Sequence, residues 1–155
     1  MRHLSLRIAV LVAAITLSLT SAAAQPGART VDTAWAQAMQ ANDVDAVTRL
    51  YAPDAVAWFP DRPEARGSAA IRDGYQALLS ANTVVAASIS DSHYRTVGKS
   101  SVGWGKFSMT LRPKAGGDVV TMTGRFTEVA ERRGGRWVYL VDHASNEPAM
   151  PAAVK

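Results

Sequence analysis

The sequence predicts an α+β domain in which a curved antiparallel sheet is wrapped around three N-terminal helices. Two observations carry this prediction. Apolar residues recur at helical spacing in three segments up to Ser80, and from Thr83 onward the chain changes to strand-length runs separated by turn residues. Helices followed by a meander of long strands are typical of an α+β fold in which the sheet curls around the helices.

Spacing and capping residues define the three helices. The first is indicated by an apolar stripe made of Val31, Trp35, Ala38 and Met39. The second follows Asp43, a good N-cap residue, and is expected to carry Tyr51 and to end at Pro53. After a short strand at 55–59 and a proline-containing loop, Ser68 is expected to cap a third helix that extends through Ser80. Its inner stripe is Ile71, Tyr75, Leu78 and Leu79.

Five strand-length runs complete the domain, at 84–90, 93–97, 102–111, 119–131 and 136–145. The last two fold back around Arg-Gly-Gly-Arg at 133–136. Successive side chains of a strand point to opposite faces, so Asp142 and His143 are expected on opposite faces of the sheet. Only one of these two titratable groups is therefore expected to face the helices.

The first 24 residues have the pattern of a secretory signal peptide. Basic residues precede an apolar run at 8–19, and three alanines at 22–24 offer a cleavage site before Gln25. The run is too short to span a bilayer, which needs about 20 residues. We expect cleavage between Ala24 and Gln25, a periplasmic or secreted product, and no membrane association after cleavage. The rest divides into a linker at 25–30, one domain at 31–148 and a C-terminal tail at 149–155.

Charge and cysteine content exclude some partners. The formal net charge of +4 falls by two on cleavage, because Arg2 and Arg7 lie in the signal peptide. The arginines at 132, 133 and 136 cluster at a hairpin tip, where a solvated turn is expected rather than a nucleic-acid site. The sequence contains no cysteine, so stability comes from packing without disulfides. We expect no nucleic-acid partner.

Three segments together resemble the nuclear transport factor 2-like superfamily, in its SnoaL-like branch, which includes the calcium/calmodulin-kinase association domain. They are LYAPDAVAWFP at 50–60, GSAAIRDGY at 67–75 and GGRWVYLVDHASNEP at 134–148. The resemblance covers nearly the whole chain after residue 24. It implies a cone-shaped fold with an internal pocket between helices and concave sheet, and a homodimer formed through the outer face of the sheet.

The resemblance extends to the ketosteroid isomerases, whose catalytic groups are an aspartate base and two hydrogen-bond donors, a tyrosine and a protonated aspartic acid. Phe59 stands at the position of the base, Trp35 at that of the donor tyrosine and Met122 at that of the donor aspartic acid. Tyr51 and Tyr75 match two supporting tyrosines. An aromatic pocket wall without the isomerase groups is therefore expected.

The length of the hairpin loop decides whether Asp142 or His143 faces the pocket. A two-residue turn at Gly134-Gly135 pairs Phe126 with His143, whereas a three-residue loop at 133–135 pairs Phe126 with Asp142. The resemblance favours the longer loop, because the pocket-facing positions of this hairpin in the kinase association domain match Glu128 and Ala144. Asp142 then faces the pocket, where desolvation would raise its pKa.

His143 has two readings: an acid-base group beside Asp142, or a residue hydrogen-bonded on the sheet or dimer face, which we favour. Trp58 and Trp104 are candidates both for the pocket wall and for packing elsewhere. No histidine or acidic cluster has metal-ligand spacing, so we expect no metal and no cofactor.

Three functions remain open from the sequence. The first is an exported protein that binds a small apolar or aromatic molecule and is not a functional ketosteroid isomerase. The alternative is a SnoaL-type enzyme for proton transfer, cyclisation or hydration, with Asp142 alone or Asp142 together with His143 as the acid-base groups. The third is a structural role, as an oligomer-forming partner domain with a vestigial pocket. A nucleophilic mechanism is not indicated, since the sequence has neither cysteine nor a Gly-x-Ser-x-Gly elbow.

Overall fold

A computed structural model describes residues 27–148 and contains three helices and six strands in that range. The predicted signal peptide at 1–24 and the tail at 149–155 lie outside the described residues. In chain order the elements are α1 (Ala28–Gln40), α2 (Val44–Thr48), β1 (Tyr51–Trp58), β2 (Ala65–Arg66), α3 (Gly67–Ala81), β3 (Asn82–Val97), β4 (Ser100–Pro113), β5 (Val120–Arg133) and β6 (Arg136–Asn146).

The six strands form one curved, open sheet in the order β2-β1-β6-β5-β4-β3. Strands β3 to β6 make the predicted antiparallel meander. The pair of β1 and β6 is parallel, which differs from the all-antiparallel expectation. This parallel pairing is possible because α3 and four strands separate β1 from β6 in the chain, and parallel neighbours need a long connection.

Helix α1 lies across the concave face of the sheet and contacts β3, β4, β5 and β6. Its predicted apolar stripe is buried, with Val31 and Met39 at 1% and 0% exposure. Helix α3 buries Ile71, Tyr75 and Leu79 against the same core. The core therefore occupies the space between the helices and the concave face. Within residues 27–148, no helix is both long and apolar enough to cross a membrane.

The helix boundaries differ from the sequence prediction in three places. Helix α1 begins at Ala28, so part of the segment expected to be a linker is helical. Helix α2 begins after Asp43, whose side chain accepts from the Ala46 N–H as predicted, but it ends at Thr48. Arg66 occupies the N-cap position of α3 without a side-chain bond, so Ser68 is not the cap.

Tyr51 consequently lies in strand β1 and not in a helix. Pro53, which was expected to end α2, is accommodated within β1. The short β2 pairs only with Val56 and Ala57, so Pro53 lies where β1 has no neighbour on that side. The pairing of β1 with β6 is also irregular between Tyr51 and Val56, so Pro53 has no assigned partner on either side and a proline is tolerated there.

The loop of the hairpin between β5 and β6 is shorter than predicted. Arg133 pairs with Arg136, so the turn has two residues, Gly134 and Gly135, and both have positive φ angles (55° and 82°). The expected three-residue loop is wrong. The register then shifts by one, because Val129 pairs with Val141 while Ala130 pairs with Tyr139, which leaves Leu140 as an extra residue. This β-bulge turns Asp142 to the same face as Phe126 despite the shorter turn.

Candidate functional site

A cavity of about 100 Å³ lies between the helices and the concave face of the sheet. Helices α1 and α3, the residues that follow β1, and strands β3 to β6 all contribute to it. Its walls are mainly aromatic and aliphatic, and include Trp35, Phe59, Ile89, Phe107, Met122 and Phe126. Three acidic side chains, Asp32, Glu128 and Asp142, also line it.

Glycines make room for the large side chains of the cavity wall. A Cβ atom at Gly103 would lie 2.4 Å from Glu128 Oε1, and one at Gly105 would lie 2.9 Å from the ring of Phe126. Gly103 is the cross-strand partner of Glu128, and Gly105 that of Phe126. The missing side chains on β4 therefore let these β5 side chains lie across the concave face.

A chain of hydrogen bonds connects helix α1 to Asp142. Trp35 Nε1 donates to Tyr75 Oη at 3.1 Å, the hydroxyls of Tyr75 and Tyr51 are 2.6 Å apart, and Tyr51 Oη donates to Asp142 Oδ2 at 2.5 Å. An indole N–H only donates, and an ionised carboxylate only accepts. The Tyr75 hydroxyl must therefore donate to Tyr51, so all three protons point towards Asp142.

Asp32 is the second polar centre and is 3% exposed. Its two carboxylate oxygens accept hydrogen bonds from different strands: Tyr94 Oη donates to Oδ2 at 2.6 Å, and Tyr139 Oη donates to Oδ1 at 2.8 Å. Burial raises the pKa of both phenols, which keeps them protonated as donors. Asp32 thus fixes α1 to β3 and β6.

Glu128 is the most deeply buried acid of the cavity, at 1% exposure. Its Oε1 is buried without any hydrogen-bond partner among the described residues. Desolvation, together with the charge of Asp32 and a hydrogen bond to it, raises the pKa of Glu128 to about 11. Glu128 is therefore protonated and uncharged at neutral pH.

Asp142 is half-buried and is the cross-strand partner of Glu128. Desolvation raises its pKa to about 6, against the lowering effect of the Tyr51 hydrogen bond, and the charge of Asp32 raises it further. Asp142 is thus largely ionised at neutral pH while its strand neighbour is not. Two adjacent carboxyl groups with separated pKa values are a common arrangement in acid-base sites.

Most of the residues expected in the pocket do line this cavity. They are Trp35, Phe59, Tyr75, Met122, Phe126, Glu128 and Asp142. Tyr51 lies behind the wall: its hydroxyl bonds to Asp142, while its other side lines a separate surface cavity beside Arg49, Arg133 and Arg136.

Three of the expected residues lie outside the cavity, on the outer face of the sheet. His143 is exposed and contacts Trp58 edge to face, with ring centroids 6.2 Å apart. Trp58 and Trp104 are 38% and 44% exposed, and Trp104 stacks on His93. Strand alternation is the reason, because each of these residues is adjacent in sequence to inward-facing positions. Trp58, Trp104 and His143 therefore do not form the pocket wall.

Three polar residues of the site were not predicted: Asp32, Tyr94 and Tyr139. Asp32 precedes Trp35 by three residues and Met39 by seven, which places it in the apolar stripe of α1. Its inward orientation could therefore have been predicted from the sequence. Tyr94 and Tyr139 offered no comparable signal, because their facing depends on irregularities of β3 and β6. Within residues 27–148, no three His, Cys, Asp or Glu side chains are grouped so as to hold a metal ion.

The family is established by the match to the model of the SnoaL-like domain over residues 33–140. The chain belongs to this SnoaL-like family of the nuclear transport factor 2-like superfamily, which confirms the resemblance noted in the sequence. No curated protein matches the sequence.

Solved structures share the fold. A protein from Xanthomonas campestris described as a calcium/calmodulin-dependent protein kinase II association domain is 26% identical, with a TM-score of 0.70 over 79% of this chain and 86% of that one. A ketosteroid isomerase-like protein from Erwinia carotovora is 20% identical, with a TM-score of 0.67 over 78% and 94%. A Novosphingobium aromaticivorans protein described as a scytalone dehydratase is 10% identical, with a TM-score of 0.71 over 83% and 87%.

We predict that Glu128→Gln stabilises the protein more at pH 8 than at pH 4. The pKa of Glu128 is raised on folding, so its contribution to stability is complete below about 4.5 and is lost as the pH rises towards 11. Glutamine keeps the shape and has no such loss. The difference in free energy of unfolding should grow by on the order of 1–3 kcal/mol between the two pH values, measured by urea denaturation.

Glu131→Gln is the matched control, because Glu131 lies on the same strand, faces outward and pairs with Arg133 at 2.5 Å. Its effect should stay within about 0.5 kcal/mol, as is usual for surface substitutions. A Glu128→Gln effect that is the same at both pH values would contradict a buried protonated carboxyl.

Proposed function

We propose that this protein binds a small, largely apolar or aromatic molecule in the cavity beneath α1. The supporting observation is the cavity itself, with aromatic and aliphatic walls and a few polar side chains converging at one end. Such a composition is typical of small-molecule sites. The aromatic rings of Trp35, Phe59 and Phe126 provide the surface for the apolar part of the ligand.

We further propose that the protein is not a functional ketosteroid isomerase. Phe59, Trp35 and Met122 occupy the positions at which the isomerase pattern has its base and two donors, and all three line the cavity. None of these side chains has an ionisable group. The structural relatives are described variously as an isomerase-like protein, a kinase association domain and a dehydratase, so their names favour no single reaction.

Export and dimerisation belong to the same proposal. The pattern of residues 1–24 supports export. A band across the outer face supports a homodimer: His93 pairs with Trp104, Trp104 with Thr127, Thr127 with His143, and His143 with Trp58. The neighbouring Val102 is also 38% exposed. Exposed tryptophan and valine on one sheet face fit a self-complementary interface.

Native mass spectrometry of the protein purified from its source tests these proposals together. We expect a polypeptide that begins at Gln25, a complex of two copies, and additional mass from a bound small molecule that is lost on denaturation. A polypeptide that retains Met1, a monomer, or a ligand-free protein would each remove the corresponding part of the proposal and leave the others standing.

We predict that Trp104→Glu converts the dimer into a monomer. A carboxylate in the middle of the outer band would be buried without a partner in the interface, which costs several kcal/mol. Light scattering at micromolar concentration measures the change. Thr121→Glu places the same charge on an exposed position of β5, pairing with Thr110 away from the band, and should leave the dimer intact. A dimer that persists in Trp104→Glu would place the interface elsewhere.

Proton transfer at a carbon acid is the second candidate function, and one observation favours it. Asp142 lines the cavity with a pKa raised to about 6, directly across from the protonated Glu128. An ionised carboxylate acts as a base, and a neutral carboxylic acid beside it donates to the oxygen that gains charge. His143 has no part in this arrangement, because it lies on the outer face.

Exchange of the α-hydrogens of phenylacetone in deuterated buffer, followed by NMR, tests this candidate. We expect a protein-dependent rate that rises through pH 6, as Asp142 loses its proton, and that falls about 100-fold or more in Asp142→Asn. His143→Gln, a change at the adjacent but outward-facing residue, should leave the rate unchanged. Exchange that survives in Asp142→Asn would argue against Asp142 as the base.

A further inference from the structure

The tryptophan and tyrosine donors at the polar end of the cavity all donate to other side chains of the protein. The protons of Trp35, Tyr75 and Tyr51 all point along one chain that ends at Asp142 Oδ2. The hydroxyls of Tyr94 and Tyr139 are both directed to Asp32. No proton of these five side chains remains for a ligand.

Hydrogen-bond acceptors, in contrast, remain available to a ligand. Glu128 Oε1 is buried and has no partner among the described residues, although Glu128 lines the cavity. The Tyr51 hydrogen bond occupies only one of the two oxygens of Asp142. A buried polar atom without a partner costs free energy, so an unpaired acceptor beside a cavity indicates a ligand that donates.

The charge of the cavity lining also favours a positively charged ligand. Asp32, Glu128 and Asp142 all line it, and repulsion from Asp32 contributes to the raised pKa values of the other two. Within residues 27–148, Arg62 supplies the single cationic side chain of the lining, and it is exposed to solvent. A cation that entered the cavity would replace the repulsion between carboxyl groups with attraction.

We propose that the ligand is an aromatic or apolar amine, whose protonated nitrogen donates to Glu128 and Asp142. This rests on the proposed function, that the cavity binds a small molecule, and adds the chemical class of that molecule. Its apolar body packs against Trp35, Phe59 and Phe126, where aromatic rings also favour a cation. Binding ionises Glu128, because the protonated nitrogen places a positive charge beside the buried carboxyl group.

Isothermal titration at pH 7.5 with benzylamine, benzyl alcohol and benzoate tests the proposal, since these probes share a ring and differ in charge. Benzylamine should bind about tenfold to a hundredfold more tightly than benzyl alcohol, as expected for charge-assisted hydrogen bonds, and benzoate most weakly. Equal or tighter binding of the alcohol would overturn the amine proposal and preserve the binding function. Binding of none of the three would count against both.

Two variants assign the contact to individual residues. Glu128→Gln and Asp142→Asn should each weaken benzylamine binding about tenfold or more and leave benzyl alcohol binding nearly unchanged. Glu131→Gln removes an outward-facing carboxyl from the same strand and should change neither. Thermal unfolding of each variant confirms that the fold is intact. Weakening of both probes to the same extent would indicate damage to the cavity and contradict a charge-specific role.

Proton release gives an independent readout. Glu128 is protonated in the free protein at pH 7.5, so benzylamine binding should release about one proton, seen as a binding enthalpy that varies with the ionisation enthalpy of the buffer. The release should be absent in Glu128→Gln and with benzyl alcohol. Tight benzylamine binding without proton release would overturn the role assigned to Glu128.

Discussion

The polar end of the cavity depends on one extra residue in strand β6. Leu140 forms a β-bulge, and as a result Tyr139 and Asp142 face the helices although they are three residues apart. Regular alternation from Tyr139 would instead turn Val141 and His143 inward and Asp142 outward. Through the bulge, Tyr139 reaches Asp32 on α1 and Asp142 reaches Tyr51 on β1. One irregularity thus connects the last strand to both walls of the cavity.

The cavity tolerates three acidic side chains because each carboxyl group has a different local environment. Asp32 is buried but accepts two tyrosine hydroxyls. Asp142 keeps part of its surface accessible and accepts one. Glu128 has neither advantage, and retains its proton instead of carrying a buried charge. Gly103 gives it the space to lie across the sheet. An apolar residue in place of Glu128 would stabilise the fold more, which is consistent with a functional origin for the buried acid.

The sequence predicted the helix and sheet layers of this fold better than the face of the sheet on which each side chain lies. The apolar stripes of α1 and α3 and the order of helices before strands follow from local periodicity, which the sequence displays directly. The inward facing of Asp142 was expected from a three-residue loop, but it results from a two-residue turn and a bulge whose effects combine. Tyr51 was assigned to a helix because a proline tolerated at an unpaired stretch of β1 looked like a helix end. Bulges and sheet edges are set by tertiary pairing, so local patterns do not reveal them.

The direction of the hydrogen-bond chain bears most directly on function. Trp35 can only donate and ionised Asp142 can only accept, so the tyrosine protons between them have no freedom to turn towards a ligand. A site that stabilises an oxyanion needs donors aimed at the reacting oxygen. Among the described residues that line the cavity, Glu128 is the carboxyl group that keeps its proton at neutral pH. Retaining it would let the cavity polarise a carbonyl, while releasing it would leave paired acceptors for a cation. Whether the cavity acts on a neutral substrate or binds an amine therefore depends on whether Glu128 keeps or releases its proton.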